Sequence, residues 1–176
     1  MYVNESRMNW RDVLPITITS LLFISQIIVG LFILDSIVQN EIMAYVGITL
    51  YISSGWLLGM LPIIEFRKNG EVKKGKSYIN TTKLVDTGIY SIIRHPQFTT
   101  WMIWSIAGML LFQHWIVILI GIPIIPLTYI DLLRADERLI HKFKDQYKQY
   151  MQNVPRANII LGLYRYVKRK KRKVSN

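Results

Sequence analysis

Two long stretches of this chain carry no charge. Val13 to Leu34 is 22 residues and Ile42 to Ile64 is 23, with no Asp, Glu, Lys or Arg in either. A helix rises about 1.5 Å per residue, so roughly 20 apolar residues cross the ~30 Å hydrocarbon core of a bilayer. Both stretches read as membrane-spanning helices, since buried helices of a soluble core seldom stay uncharged over such a length. The first begins too far into the chain, and runs too long, for a cleaved leader peptide, and it lacks a small-residue cleavage site.

A third apolar region runs from Phe98 to Ile130 and is interrupted at Gln113-His114. Its limbs are about 22 and 24 Å as helices. We expect a tight hairpin of short or tilted helices, with Pro123 and Pro126 bending the second limb; a partly inserted, re-entrant pair is the alternative. The basic residues then give an orientation. Of 22 Lys and Arg, 2 fall in residues 1–12, 7 in residues 65–97 and 13 in residues 131–176, with none in the segments 35–41 and 113–114. Four crossings with both termini cytoplasmic place every basic residue on one side of the membrane. The expected architecture is all-α, a polytopic membrane helical bundle of about four membrane helices with a cytoplasmic C-terminal helix. Residues 1–64 form two N-terminal transmembrane helices, 65–97 a cytoplasmic loop, 98–130 the hairpin, and 131–176 an amphipathic helix and basic tail. The chain is read as an integral membrane protein. Its small size points to the plasma membrane of a prokaryote, although the endoplasmic reticulum fits the same topology.

Composition removes several functions. The chain has no cysteine, which excludes a disulfide scaffold, a zinc–cysteine site and thiol catalysis. The net charge is +11, yet the charge follows membrane topology rather than forming a basic face on a soluble domain, so nucleic acid is not an expected partner. The run Lys168-Arg169-Lys170-Lys171-Arg172-Lys173 suits anionic lipid headgroups, or serves only to hold the topology. His95, His114 and His141 have no metal-ligand spacing, and no metal is expected; His114 is read as marking the hairpin turn. Residues 70–77 spell the G-x-x-x-x-G-K-S phosphate loop letter for letter. That motif works between a strand and a helix, where backbone N–H groups wrap phosphates. Here it follows a membrane helix, so it is read as an ordinary loop. The sequons at Asn4 and Asn80 lie on the expected cytoplasmic side, where no glycosylation occurs.

Two cytoplasmic segments remain for chemistry. In the second, Leu139, Phe143, Tyr147, Tyr150 and Val154 fall at helical steps and form one apolar-aromatic stripe, with Asp136-Glu137 at its start and Pro155 at its end. Such a helix would lie along the membrane surface or cap the bundle's cytoplasmic mouth. The first segment holds Leu84-Val85-Asp86-Thr87-Gly88-Ile89-Tyr90-Ser91-Ile92-Ile93-Arg94-His95-Pro96. Gly88 permits a sharp turn or a close backbone approach to a ligand. Pro96 suits the first turn of a helix, where its missing N–H costs nothing. Spacing alone leaves two readings of Arg94 and His95, functional or merely snorkelling to headgroups.

The two segments together resemble a known superfamily of integral membrane enzymes, the isoprenylcysteine carboxyl methyltransferases and phospholipid methyltransferases. Its L-V-x-x-G-I-Y-x-x-x-R-H-P pattern is met at Leu84, Val85, Gly88, Ile89, Tyr90, Arg94, His95 and Pro96. Its second pattern, a carboxylate pair followed by L-x-x-x-F-G-x-x-Y-x-x-Y and V-P-R, is met at Asp136-Glu137, Leu139 or Ile140, Phe143, Tyr147, Tyr150 and Val154-Pro155-Arg156. Lys144 stands where the pattern has glycine, and Asp136 where it often has Glu. The resemblance spans residues 84–156.

It implies S-adenosylmethionine bound on the cytoplasmic side and a lipophilic methyl acceptor. Tyr90 and His95 would contact the cofactor, and Glu137 would hold its α-amino group. The backbone around Leu84 and Val85 would line the adenosine beside Gly88. Arg94 and Arg156 would orient an anionic acceptor or the cofactor carboxylate. Methyl transfer is an in-line displacement, in which alignment supplies most of the help. A carboxylate acceptor needs no base, whereas an amine acceptor must lose a proton, which His95 or Glu137 could take. Trp101, Met102 and Trp104 are read as interfacial anchors or as the acceptor's entrance. The acceptor classes this implies are a prenylated cysteine, a phospholipid amine or another small lipophile. The competing readings are an NADPH-dependent membrane reductase of the sterol type and a non-enzymatic membrane scaffold.

Overall fold

The computed structural model describes residues 10–33, 40–71 and 81–174, the side chains at 11, 12, 173 and 174 excepted. The sequon asparagines Asn4 and Asn80, and residues 72–77 of the phosphate-loop look-alike, lie outside the described residues. Among the described residues six α-helices follow in order: α1 (Trp10–Ile33), α2 (Glu41–Ser54), α3 (Leu61–Asn69), α4 (Pro96–Phe112), α5 (Trp115–Asn153) and α6 (Ile159–Val174). There is no strand among the described residues. Three stretches, Val13–Ile33, Glu41–Asn69 and Trp115–Asn153, are helical, long and apolar enough to cross a membrane. The protein is an all-α integral membrane helical bundle. Large apolar side chains stay exposed along α1, α2 and the first half of α5, among them Phe32, Ile42, Ile52 and Leu119, as lipid-facing helices require and as a water-soluble monomer seldom shows.

The second of these stretches keeps its ladder by changing register. Gly55–Met60 is a π-helical turn between α2 and α3. The Leu61 N–H bonds the Trp56 carbonyl five residues back, and the next residue, Pro62, has no N–H to give. Across α4, 17 residues reach only about 26 Å, so it is the short limb the sequence suggested. Helix α5 differs from expectation. It continues past residue 131 and ends at Asn153, kinked at Lys144, whose dihedrals are non-helical at φ 50° and ψ −125°. Neither Pro123 nor Pro126 interrupts it.

The chain divides into two compact units, Met1–Tyr51 with Trp101–Ala135, and Ile52–Thr100 with Asp136–Asn176. In the first, helices meet at small residues, the usual means of bringing membrane helices together. Gly47 lies against the Ala107 carbonyl and the Leu111 amide, and Gly121 against Gln26 and Met109. Buried polar groups close on the same seams. Gln26 Nε2 donates to the Ser105 carbonyl at 3.0 Å, Ser105 Oγ to the Gly121 carbonyl at 2.9 Å, and Thr19 Oγ1 to Asp131 at 3.1 Å. Trp104 stacks on Tyr51 at 4.6 Å and donates its indole N–H to the Tyr51 carbonyl, while Trp101 packs on Phe23. These two tryptophans, read from sequence as interfacial anchors, take part in helix packing. At the α4–α5 turn, Gln113 adopts φ 48° and its amide exchanges two hydrogen bonds with the Asn40 backbone.

The second unit holds α3, the 3₁₀ turn Gly88–Ser91, the start of α4, the end of α5 and α6. The sequence stripe becomes its core. Tyr147, Tyr150 and Val154 pack with Leu84, Leu139, Ile140, Phe143 and Met151. Lys144 itself is exposed, so its positive φ is a backbone strain unsupported by side-chain burial. Such conformations cost about 1–3 kcal/mol in a non-glycine residue, against roughly 0.5–1 kcal/mol of extra chain entropy for glycine. Lys144→Gly is therefore expected to stabilise the fold by about 1 kcal/mol, read as a rise of a few degrees in the detergent melting temperature. A fall would show that the dihedrals are not strained.

Candidate active site

One carboxylate gathers four donors. Asp136, on α5, is buried to 4% side-chain exposure. Its Oδ1 meets His95 Nε2 at 2.6 Å and accepts the Tyr147 hydroxyl at 2.5 Å. Its Oδ2 accepts from Arg94 Nη2 at 3.2 Å and Arg156 Nε at 2.7 Å. A carboxylate held by two guanidinium groups is ionised and can only accept. The proton between Asp136 and His95 therefore sits on Nε2, which leaves Nδ1 as the basic nitrogen of the ring.

The backbone fixes this convergence. Arg94 and His95 lie between the 3₁₀ turn and Pro96, which opens α4. Their amides donate to the carbonyls of Pro155 and Arg156 at 3.0 and 3.1 Å. The two motif blocks are thus hydrogen-bonded side by side. The Tyr150 hydroxyl adds a 2.5 Å bond to the Tyr90 carbonyl. The Tyr90 ring is buried and tilted against Phe66 at 4.6 Å.

Asp136 and Tyr147 belong to one helix and are 11 residues apart. Along an unbroken helix that separation is about 16 Å, more than the two side chains can span together. Their 2.5 Å bond therefore depends on the break at Lys144. The glycine position of the family pattern falls at that break.

Burial holds His95 below the ordinary histidine pKa and outweighs the pull of Asp136, with Arg94 and Arg156 adding to the depression. Neutral imidazole is accordingly the native form. Within the cluster one carboxylate then faces two guanidinium groups, Arg94 buried and Arg156 about one-third exposed. Arg94 has 5% side-chain exposure, and its Nε and Nη1 have no hydrogen-bond partner. Buried donors of this kind are ordinarily satisfied.

The residues singled out from sequence separate into three groups. Arg94, His95 and Arg156 are brought together on Asp136. Leu84, Val85, Gly88 and Tyr90 line the stretch leading to them, with Val85 and Tyr90 buried and Leu84 packed against the tyrosine core. Glu137 is exposed and takes no part in the cluster. Gly88 takes a turn conformation that favours glycine, and its close neighbour is the Glu65 carboxylate. It sits at φ 54°, and a Cβ there would lie 2.7–2.9 Å from the Glu65 carboxylate. Glu65 also accepts from Thr87 Oγ1 at 2.5 Å and Asn69 Nδ2 at 2.7 Å. Sequence reasoning passed over Glu65, the first charged residue after the second apolar stretch, and gave Tyr147 only a packing role. Among the described residues no group of three or more acids and histidines is placed to hold a metal.

Residues 72–141 match the isoprenylcysteine carboxyl methyltransferase (ICMT) family. The match includes the whole first motif block and reaches Asp136-Glu137. It supports the resemblance drawn from the motifs on a stretch that contains Arg94, His95 and Asp136. No curated protein and no solved structure matches the chain.

Three outcomes follow from this geometry. Asp136→Ala takes the counter-ion from the buried Arg94 guanidinium and should cost about 3–5 kcal/mol, measured by denaturation in detergent. Gly88→Ala, strained in dihedral and crowded by Glu65, should cost more than about 1 kcal/mol. The folded chain binds a proton at His95 less readily than the unfolded chain, whose histidine titrates near 6.5. Stability from this group is present above that value and drains away as the pH falls below it. A His95→Gln variant should show a flatter loss between pH 7 and 5.

Proposed function

We propose that this protein is an S-adenosylmethionine-dependent methyltransferase that methylates a carboxylate on a lipophilic acceptor, in the manner of isoprenylcysteine carboxyl methyltransferases. The observation that carries the reading is Arg94, a buried guanidinium with two unsatisfied donors. Such a group asks for an anion, and both the cofactor's carboxylate and a carboxylate acceptor supply one. The ICMT match over residues 72–141 supports the same class.

The residues present suit the cofactor. Arg94 would receive its carboxylate, and the exposed acid Glu137, unlike Asp136, is not already occupied by donors and would hold its α-amino group. Leu84 and Val85 would lie along the adenosine, with Tyr90 and His95 beside it. When bound, S-adenosylmethionine supplies an electrophilic methyl group on a sulfonium centre. The protein's part is orientation and exclusion of water, because displacement depends on near-contact alignment. Arg156, about one-third exposed, would steer the acceptor's charge.

A carboxylate acceptor is favoured by Arg94, whose spare buried donors suit an anion and repel a protonated amine. It also needs no base, whereas an amine would have to give its proton to His95 Nδ1 or to Glu137. Nothing in the geometry favours the reductase or the scaffold.

Ligand that binds only the folded state raises its stability by mass action, by about 2.7 kcal/mol at a hundredfold excess over Kd. S-adenosylhomocysteine is expected to raise the melting temperature of the detergent-solubilised protein, and NADPH to leave it unchanged. Glu137→Ala, an exposed substitution, should melt like the parent without ligand and lose the S-adenosylhomocysteine shift. A shift with NADPH alone would overturn the reading.

A further inference from the structure

Helix α6 has two opposed faces with different duties. One is docked. Gly162 is buried so closely on Ile92 that a Cβ would collide with the Ile92 carbonyl. One turn further on, Arg165 donates to the Gln152 carbonyl at 3.4 Å. Arg169 donates to the Asn153 carbonyl and, at 2.5 Å, to the Ser91 carbonyl. The other face carries Ile160, Leu163, Tyr164 and Val167, spaced i, i+3, i+4 and i+7 on one side of the helix. They are 83, 46, 64 and 49% exposed. Four large apolar side chains in one exposed stripe call for an apolar partner.

The charge around the stripe identifies that partner. Helix α6 contains seven Lys and Arg and no acid. At 100° per residue, Lys168 and Lys170 flank the stripe on its two sides and Lys171 extends it; all three are exposed. An apolar stripe bordered by lysines on a helix of a membrane-anchored chain matches the boundary between acyl chains and anionic headgroups.

We propose that α6 is an in-plane membrane helix whose outer face docks on an anionic bilayer surface, and that this docking braces the Arg94–Asp136 cluster. The brace follows from what the inner face holds. Arg169 and Gly162 grip Ser91 and Ile92, just before Arg94 and His95, while the segment leading into α6 supplies the Pro155 and Arg156 carbonyls that bind their amides. Loosening α6 therefore loosens both strands of chain that place the two guanidinium groups on Asp136. The inference is independent of what the cluster binds.

The chain has no cysteine, so one can be introduced alone. Leu163→Cys, and separately Ile160→Cys, is labelled with an environment-sensitive fluorophore, and the full chain is placed one copy per nanodisc. Discs are of phosphatidylcholine alone or with phosphatidylglycerol. In anionic discs the label is expected to shift to the blue, resist aqueous iodide and be quenched by lipid-chain quenchers. High salt, or Lys168→Gln with Lys170→Gln and Lys171→Gln, should reverse this. Each basic residue near an anionic surface contributes about fivefold to partition, so the triple variant loses about a hundredfold. Exchange of the Arg94 and His95 amides should slow in anionic discs and not for the triple variant. A label open to water in both lipids would overturn the docking. Protection appearing only with two copies per disc would replace the bilayer by a second chain. Protection without slowed exchange would overturn the brace.

Discussion

Everything in the second unit is arranged so that one buried carboxylate can be ionised. Asp136 has lost water, and an uncompensated charge in such a place is far too costly to persist. Four donors replace the water: two guanidinium groups, an imidazole and a phenol. They come from residues 94, 95, 147 and 156, so satisfying one side chain fixes three separate stretches of chain. Removing the acid would leave the cations stranded, and in that sense the interaction specifies the arrangement more than it stabilises it. A buried ion pair is weak evidence for net stability, because desolvation consumes much of the attraction.

The backbone makes the arrangement cheap to reach. Val154 and Pro155 are buried, and the stretch ending at Arg156 runs beside Arg94-His95 with two amide-to-carbonyl bonds. Since Arg94 and His95 are consecutive, both bonds form together, and the side chains need little further ordering to meet Asp136. What the cluster lacks is equally informative. Its donors outnumber its charges, and Arg94 keeps two N–H groups without a partner. A site whose buried guanidinium has donors to spare is suited to ordering an anion. It is poorly suited to acid–base chemistry by its own carboxylate.

The membrane class was legible because spanning a bilayer imposes one requirement, a long uncharged helix, and Val13–Leu34 and Ile42–Ile64 meet it locally. The stripe of Leu139, Phe143, Tyr147, Tyr150 and Val154 was legible for a similar reason, since helical periodicity survives whatever covers the face. It covers the protein's own core rather than the bilayer surface, which periodicity alone does not determine. The composition changes at residue 130, but a change of composition does not end a helix, and the backbone continues. The cluster was legible in its members and not in its wiring. Arg94, His95 and Arg156 stood out, yet Asp136 and Glu137 are adjacent acids of the same type. Only burial separates them, the first at the centre of the network and the second in water. The register shift at Gly55–Met60 left no periodic signal, and Glu65 gave none either, because its role lies in a contact with Gly88 made across 23 positions.

The break at Lys144 shows how a local defect can be required by a distant bond. A straight α5 would keep Asp136 and Tyr147 about three turns apart, and the carboxylate would lose a donor that no neighbouring residue replaces. The helix must fold back between them, and a φ of 50° with ψ of −125° is a conformation that glycine adopts freely and lysine does not. The family pattern places glycine at this position, where the geometry asks for it. This chain places lysine there and retains the break, so the hydrogen bond to Asp136 and the packing of Phe143, Tyr147 and Tyr150 on Leu84 together exceed the strain. The departure from the pattern therefore measures the cluster. A fold that tolerates lysine at a glycine position has enough free energy in the contacts beyond the break to hold the chain there.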